Sequence, residues 1–322
     1  MTAAHAHPLE PSDPAAPAAD FTGLDAPVVV ACSGGADSVA LLVLATEAEL
    51  APVAVHVDHG LRADSAADVD VVRRAAESLG VPWRSVRVAV GAGPNLEARA
   101  RDARYGALQV AREELGATAI LVAHTADDQA ETVLLNVLRG SAAAGLGGMA
   151  PRRGAIVRPL LHLRRADVRA VAAARGLEVV EDPTNADVRW RRAWIRHEVL
   201  PMLGEGSDRD LVPVLARQAD LLRAESDLLD ELGDALLTDA NRNAPSTRVL
   251  RAAALPITRR ALRRWLGAPP PSAADVERVL AVVRGECVAA ELAGGRRVRR
   301  SHGRLRRDDA PVTARPDDGT VR

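Results

Sequence analysis

Lysine is absent from this chain: all 42 Lys+Arg residues among its 322 are arginine. That excludes the common phosphate-binding loop, which needs a lysine after its last glycine. Cysteine occurs twice, at Cys32 and Cys287, too few for a disulfide framework or a cysteine metal cluster. Aromatics are 2% of the chain (four Trp, one Tyr, one Phe), and the heavy use of Ala, Val, Leu and Arg points to coding bias rather than mechanism. No apolar run approaches the roughly 18 residues of a membrane span. No basic residue precedes an apolar core at the N-terminus, so no secretory signal is expected. The expectation is a cytoplasmic protein with no membrane partner. The 48% of apolar residues suffices for a core, and 322 residues suggest two domains.

The net charge of −1 hides a division. Residues 1–150 hold 10 Arg against 19 Asp and Glu, and residues 151–322 hold 32 Arg against 24. The second part is therefore a candidate for a polyanionic partner, against the plainer reading of a solvated arginine surface.

The chain is organised around Val28 to Leu44, where a β-branched run enters a glycine turn and leaves as an apolar helix. The turn is Ser33-Gly34-Gly35-Ala36-Asp37-Ser38. Amides of such a turn, at the positive end of a helix, make a nest for a polyphosphate. Ser33 and Ser38 can donate hydroxyl hydrogen bonds to it. An ionised Asp37 only accepts, so it is a helix cap or a ligand for the magnesium that travels with ATP.

Further strand-like runs lie at Val53–Val57, Ser85–Val90 and Ala119–Ala123, with helical patterns at Asp37–Glu49, Ala66–Leu79 and Leu96–Leu115. Alternation of this kind predicts an α/β fold: a parallel twisted sheet flanked by helices, with ligands at the edge where strand order switches. We expect a disordered leader over 1–25, a nucleotide-binding domain over 26–204, a smaller mainly helical domain over 205–307 and a disordered tail over 308–322. Six more stretches carry candidate residues, and two of them, His56–Arg62 and His124–Thr132, follow strands to that same edge. His56-Val57-Asp58-His59-Gly60-Leu61-Arg62 offers the backbone of His56 and Val57 to an adenine edge and His59 and Arg62 to phosphate. In Asn95–Tyr105, Arg101 and Arg104 suit phosphate, with Asn95 as N-cap. In His124–Thr132, Asp128 and Glu131 share one helix face, an unfavourable arrangement unless they meet a cation or an attacking amine, and Asp127 is a second cap candidate. His124 can bond a phosphate or a transition-state oxygen. Arg139–Met149 reads as a mobile glycine-rich loop. Arg189–Arg196 holds four arginines in eight positions, including Arg192 and Arg196. Arg296–Arg307 holds seven in twelve with no aromatic, so phosphate contact is its available mode.

In this order the motifs resemble the bacterial tRNA(Ile)-lysidine synthetases, members of the N-type ATP pyrophosphatases, over about Val28 to Leu203. Arg158-Pro159-Leu160-Leu161 and Glu181-Asp182-Pro183-Thr184-Asn185 through Pro201 continue the likeness. The resemblance implies that ATP and Mg²⁺ adenylate the wobble cytidine of a CAU-anticodon tRNA(Ile) and that free lysine then displaces AMP. It implies Asp37, Asp128, Glu131 and His124 as catalytic groups, Asp37 as the Mg²⁺ ligand, and residues 33–38, His56, Val57 and Arg62 around the nucleotide. Arg101, Arg104, Asp127, Arg192 and Arg196 would serve tRNA or lysine, and a homodimer is left open. The chain departs from the family pattern at Ala193, where an asparagine is usual, and at Ala142, where glycine is frequent. The rival readings are a tRNA thiolase, which the cysteine spacing does not favour, and a non-catalytic nucleotide sensor, which leaves Asp128 and Glu131 unexplained.

Overall fold

A computed structural model describes residues 18–58, 60, 65–91, 93–181, 187–238 and 242–308. It opens with β1 (Val28–Ala31), α1 (Ala36–Glu47), β2 (Pro52–Asp58), α2 (Ser65–Ser78), β3 (Trp83–Arg87) and α3 (Leu96–Glu114). Then come β4 (Ala119–Leu121), α4 (Ala126–Leu138), the single turn α5 (Ala143–Leu146), the hairpin of β5 (Arg152–Arg153) and β6 (Ile156–Val157), and α6 (Arg165–Ala174). The sheet order is β3-β2-β1-β4-β6-β5, and every pairing is parallel except β5 with β6. The chain runs outward from β1 to β3, then crosses back to place β4 on the other side of β1. Neighbouring strands whose following loops leave in opposite directions open a crevice at their carboxyl ends. The loop 33–38 leaves β1 there, and residues 122–125 leave β4 beside it.

Strand alternation divides the core. Val28 and Val30 pack with Leu41, Leu42 and Val72 on one face, while Val29 packs with Val53, Val55, Leu108 and Ile120 on the other. Residues Ser38 to Ala45 of α1 are all buried, between the sheet and α6. Full burial of a leucine such as Leu41 is worth about 1.5–3 kcal/mol, so the glycine turn is anchored between two of the best-buried elements of the chain.

Some expectations are corrected. The leader is docked from Ala18 onward: Phe21 and Leu24 pack against the core, and the Asp20 amide donates to Pro159 O at 2.9 Å. Residues 1–17 lie outside the described residues. β3 begins two residues earlier than expected, because its register with β2 pairs Trp83 with Ala54. Asn95 stands at the N-cap of α3 in a left-handed conformation (φ 59°) but makes no side-chain cap bond. The glycine-rich loop is clamped. The Gln129 amide bonds both the N–H (2.8 Å) and the C=O (3.0 Å) of Met149, and Asn136 donates to Gly145 O at 2.7 Å.

After α6 come α7 (Arg191–Trp194), a π turn (Ile195–Val199), α8 (Leu200–Ser207) and α9 (Leu211–Leu236). The chain divides into two compact units between Leu221 and Leu222, inside α9. The second unit contains α10 (Thr247–Ala252), α11 (Leu255–Leu266), α12 (Ala273–Arg284) and an antiparallel sheet of β7 (Ala289–Glu291), β8 (Arg297–Ser301) and β9 (Arg304–Asp308). Its core joins Leu250, Leu262, Trp265, Val279, Leu280, Val298 and Leu305. The arginine-rich segment 296–307 is therefore part of a folded hairpin: Val298 and Leu305 point inward while Arg297, Arg299 and Arg306 alternate outward.

Candidate active site

The glycine turn is held by its own serine. Ser38 Oγ donates to Gly35 O at 2.8 Å and accepts from the Ser33 amide at 3.2 Å. Its one proton is thereby committed, and the residue is buried. Ser38 shapes the loop rather than donating to a ligand, which corrects one expectation. Ser33 is exposed, and its hydroxyl, 3.3 Å from Ser38 Oγ, can turn to a ligand. Gly34 needs its lack of Cβ twice: φ is +83°, and a Cβ would sit 2.9 Å from Val180 Cγ2. The Val180 amide donates to Gly34 O at 2.9 Å, fastening the turn from outside. Gly35 is the N-cap of α1, without a side-chain cap bond, so Asp37 is not the cap.

Backbone alternation in β2 decides which of its groups face the crevice. Ala54 N and Asp58 O bond toward the β3 side, and Val55 O accepts from Cys32 N on the β1 side. His56 therefore turns its peptide groups to β3, whereas those of Val57 face the β1 side beyond the last β1 residue. Only Val57 of the expected pair can offer its backbone to an adenine edge. The His56 ring is buried and bonds Cys32 O through Nδ1 at 3.1 Å.

α4 begins with a capping box. Thr125 caps the Asp128 amide, and Asp128 Oδ2 accepts from Thr125 N (2.8 Å) and Oγ1 (2.9 Å). Asp127 turns outward to α6, where Oδ2 accepts from the Arg165 amide at 2.7 Å. It caps the neighbouring helix and does not reach the main cavity. Arg165 then bridges the carboxylates. Its Nη2 is 2.7 Å from Asp128 Oδ1 and 3.2 Å from Glu131 Oε1, and its Nε is 3.6 Å from Asp37 Oδ2. Arg169, one helical turn on, donates to Asp37 Oδ1 at 3.3 Å. Glu131 is fully buried and also accepts from Arg196 Nε at 2.7 Å, with Arg192 3.8 Å away. The repulsion expected between Asp128 and Glu131 is answered by three arginines, none of them adjacent in sequence.

Between these elements lies a cavity of about 930 Å³. Ser33, Gly35, Ala36, Asp37 and Ser38 line it, as do His56, Val57, Arg104, His124, Asp128 and Arg196. Gly34, Arg101, Asp127, Glu131 and Arg192 do not, and Arg62 and His59 lie outside the described residues. Arg101 is exposed and donates to Tyr105 OH at 3.4 Å. Glu131 and Asp127 line a second cavity of about 310 Å³ instead, which Arg196 shares with the main one. Tyr105 and Glu181, each at one end of a stretch singled out above, line the main cavity, as do Arg165 and Arg169, which no motif announced. Arg165 meets its partners across 34 and 37 positions and Arg169 across 132.

Protonation states follow from these contacts. Burial pushes His124 down to about 3, helped by Arg158 and opposed by Asp128. Arg158 Nε donates to His124 Nδ1 at 3.2 Å, so the neutral ring carries its proton on Nε2. His124 is thus a donor into the cavity, not a cation. Burial works to raise Asp128, but Arg165 and the Thr125 bonds outweigh it and hold the carboxyl below its usual range. Burial raises Asp37 in spite of Arg165 and Arg169. Cys32 is buried, and burial pushes its thiol up, so it is no ready nucleophile. Among the described residues no three His, Cys, Asp or Glu side chains converge as a metal site. Asp37 and Asp128, facing one cavity, fit a magnesium that takes most of its shell from phosphate oxygens and water.

Residues 19–203 match a family described as a PP-loop domain (ATP_bind_3). The chain is 46% identical over 248 residues to a tRNA(Ile)-lysidine synthase of Thermus thermophilus, covering 74% of this chain and 48% of that one. It is 43% identical over 301 residues to the synthase of Salinispora tropica (87% and 90% covered) and 39% over 293 residues to that of Thermobifida fusca (86% and 90%). It thus spans about half the length of the Thermus relative and nine-tenths of the other two. Among solved structures, a U34-tRNA thiolase from Methanococcus maripaludis shares the fold, with a TM-score of 0.50 at 18% identity over 61% of this chain and 72% of that one. With more than half of its length matched to the PP-loop family and relatives of this identity, the chain belongs to the tRNA(Ile)-lysidine synthase family of PP-loop proteins.

Proposed function

We propose that the chain is an ATP-dependent ligase that joins free L-lysine to C2 of the wobble cytidine in CAU-anticodon tRNA(Ile). The observation that carries this reading is the cavity at the β1/β4 switch point, where an amide-lined turn faces a helix start bearing an ionised carboxylate. In the first step the C2 oxygen attacks the α-phosphorus of ATP and pyrophosphate leaves. In the second, the lysine ε-amine adds at C2, and AMP departs with the former C2 oxygen and a proton is released.

The amides of the glycine turn and the Ser33 hydroxyl hold the phosphates at the positive end of α1. The Val57 peptide groups read the adenine edge. The Nε2–H of His124 donates to an oxygen on which charge develops. Asp128, held below the usual carboxylate range, stays ionised and orients the lysine ammonium rather than storing its proton. Glu131 acts from beneath, fixing Arg165 and Arg196. Arg104 and Arg196 give the cavity rim its charge for the tRNA backbone. Asp37, with Asp128 beside it, would hold magnesium, which when bound supplies charge neutralisation at the leaving pyrophosphate. The working unit is cytoplasmic, as a monomer or a homodimer, and no helix among the described residues is long and apolar enough to cross a membrane.

The test is incubation with ATP, Mg²⁺, labelled lysine and transcribed CAU-anticodon tRNAs. Label should enter the isoleucine tRNA and not the methionine tRNA, with pyrophosphate release requiring tRNA and its continued turnover requiring lysine as well. Pyrophosphate release independent of tRNA, or label in neither RNA, would sink the reading.

A further inference from the structure

Four tryptophans are present in 322 residues, and two of them lie on one exposed face of one short helical segment. Trp190, the N-cap of α7, is 52% exposed and Trp194, at its end, is 40% exposed. They are one turn apart: the Trp194 amide donates to Trp190 O at 2.9 Å. Residues four apart on a helix present neighbouring side chains. The same segment also has an inward side. Ala193 and Ile195 are buried, and Arg192 and Arg196 face Glu131 on α4. The indoles are thus left outside after the core has been satisfied.

Two observations indicate what the indoles meet. First, the face leads to the main cavity: the next side chain along it, His197, lines that cavity together with Arg196. Both adjacent residues reach the rim because Ile195–Val199 is a π turn, whose extra residue per turn rotates the chain. Second, the surroundings are cationic. Arg191, next to Trp190 in the chain, is exposed, and residues 151–204 hold 11 Arg against 6 Asp and Glu. Exposed aromatic rings beside arginine, on a segment whose next side chains line a polar cavity, suit a strand whose bases are unpaired and whose backbone is anionic. An apolar protein partner would not be favoured by the charge, and a duplex would not offer its base faces.

We propose that Trp190 and Trp194 form a stacking ledge for the unpaired bases next to the target nucleotide, holding the loop while that nucleotide enters the cavity. The inference rests on the tRNA reading above and adds the residues that grip the loop. A base flipped from its neighbours loses their stacking, and indoles at the rim replace it.

The experiment measures binding of a labelled anticodon stem–loop RNA to the full chain and its Trp190→Ala, Trp194→Ala, Trp194→Phe and Trp194→Leu variants. Each alanine variant should weaken loop binding about 10-fold, the magnitude of one lost base stack. Trp194→Phe should restore most of the affinity and Trp194→Leu should not, because stacking needs a ring face. The salt dependence should keep its slope in all four, whereas Arg191→Ala should lower it by about one phosphate contact. Equal rescue by Leu and Phe overturns stacking in favour of an apolar docking face for a protein. Lysine ligation by the unaltered chain is scored in parallel. If it ligates while both alanine variants hold the loop as tightly, the ledge alone is refuted; if it binds neither loop nor tRNA, both readings fall.

Discussion

Removing the Arg165 guanidinium tests the electrostatic construction of the site. Arg165 is 11% exposed and touches Asp128 (13%), Glu131 (0%) and Asp37 (25%) at 2.7, 3.2 and 3.6 Å. At these separations the attraction to one carboxylate is roughly 5 kcal/mol at an effective dielectric near 20, most of it offset by desolvation. Deleting one partner of a buried ion pair costs about 3–5 kcal/mol because the other charge stays buried. Glu131 keeps Arg196 at 2.7 Å, while Asp128 keeps it only at 3.8 Å, so the lower end applies. We expect Arg165→Gln to lose about 3 kcal/mol in urea unfolding near neutral pH. The loss should depend on pH. In the wild type, Asp128 is held below its usual value, so its stabilisation is present above that value and fades as acid is added. In the variant the carboxyl rises above its unfolded value, so its penalty is largest at neutral pH and shrinks as falling pH protonates it. The gap between the two proteins should therefore narrow as pH falls from neutral toward and below the ordinary carboxylate value. Arg165→Lys, a point charge that cannot span three carboxylates, should fall between. A midpoint equal to wild type, or a gap that does not change with pH, refutes the account.

Gly34→Ala should destabilise by about 2 kcal/mol, from the strain of a positive φ and the Val180 contact, whereas Gly35→Ala, at φ −69°, should melt like wild type yet bind ATP more weakly. Equal effects of the two in thermal melting and ATP titration would contradict the geometry. His124 is neutral when folded and titrates at its ordinary value when unfolded, so stability should fall on acidification between about pH 6.5 and 3, by up to ~1.4 kcal/mol per unit. His124→Gln should remove that slope; a slope unaltered in the variant counts against a buried neutral ring. Asp37→Ala should abolish adenylation, read as tRNA-dependent pyrophosphate release, while circular dichroism stays native, because Asp37 is partly exposed and does not cap α1. Adenylation at the wild-type rate would remove Asp37 from the site.

Local rules carried much of the fold. The valines of β1 dictated a buried strand, the apolar length of α1 a buried helix, and the alternation of both types a parallel sheet with a switch-point crevice. The glycine turn was legible because positive φ and amide exposure leave a residue-type signature within six positions, whereas at the start of α4 the cap expected at Asp127 is supplied by Thr125. Burial and partnership were not legible. That Ser38 locks the turn, that Asp127 caps α6 rather than serving the cavity, and that Val57 and not His56 has an available peptide edge all follow from strand register and helix docking. Arg165, which no motif singled out, is the hub of the site because α6 packs on α1 and brings one guanidinium against carboxylates more than thirty positions away. Charge pairing of that kind depends on distance in space, which a linear pattern does not encode. Sequence alone determined which chemistry was available at the sheet edge, and tertiary packing decided which of those groups face the cavity and which hold it in shape.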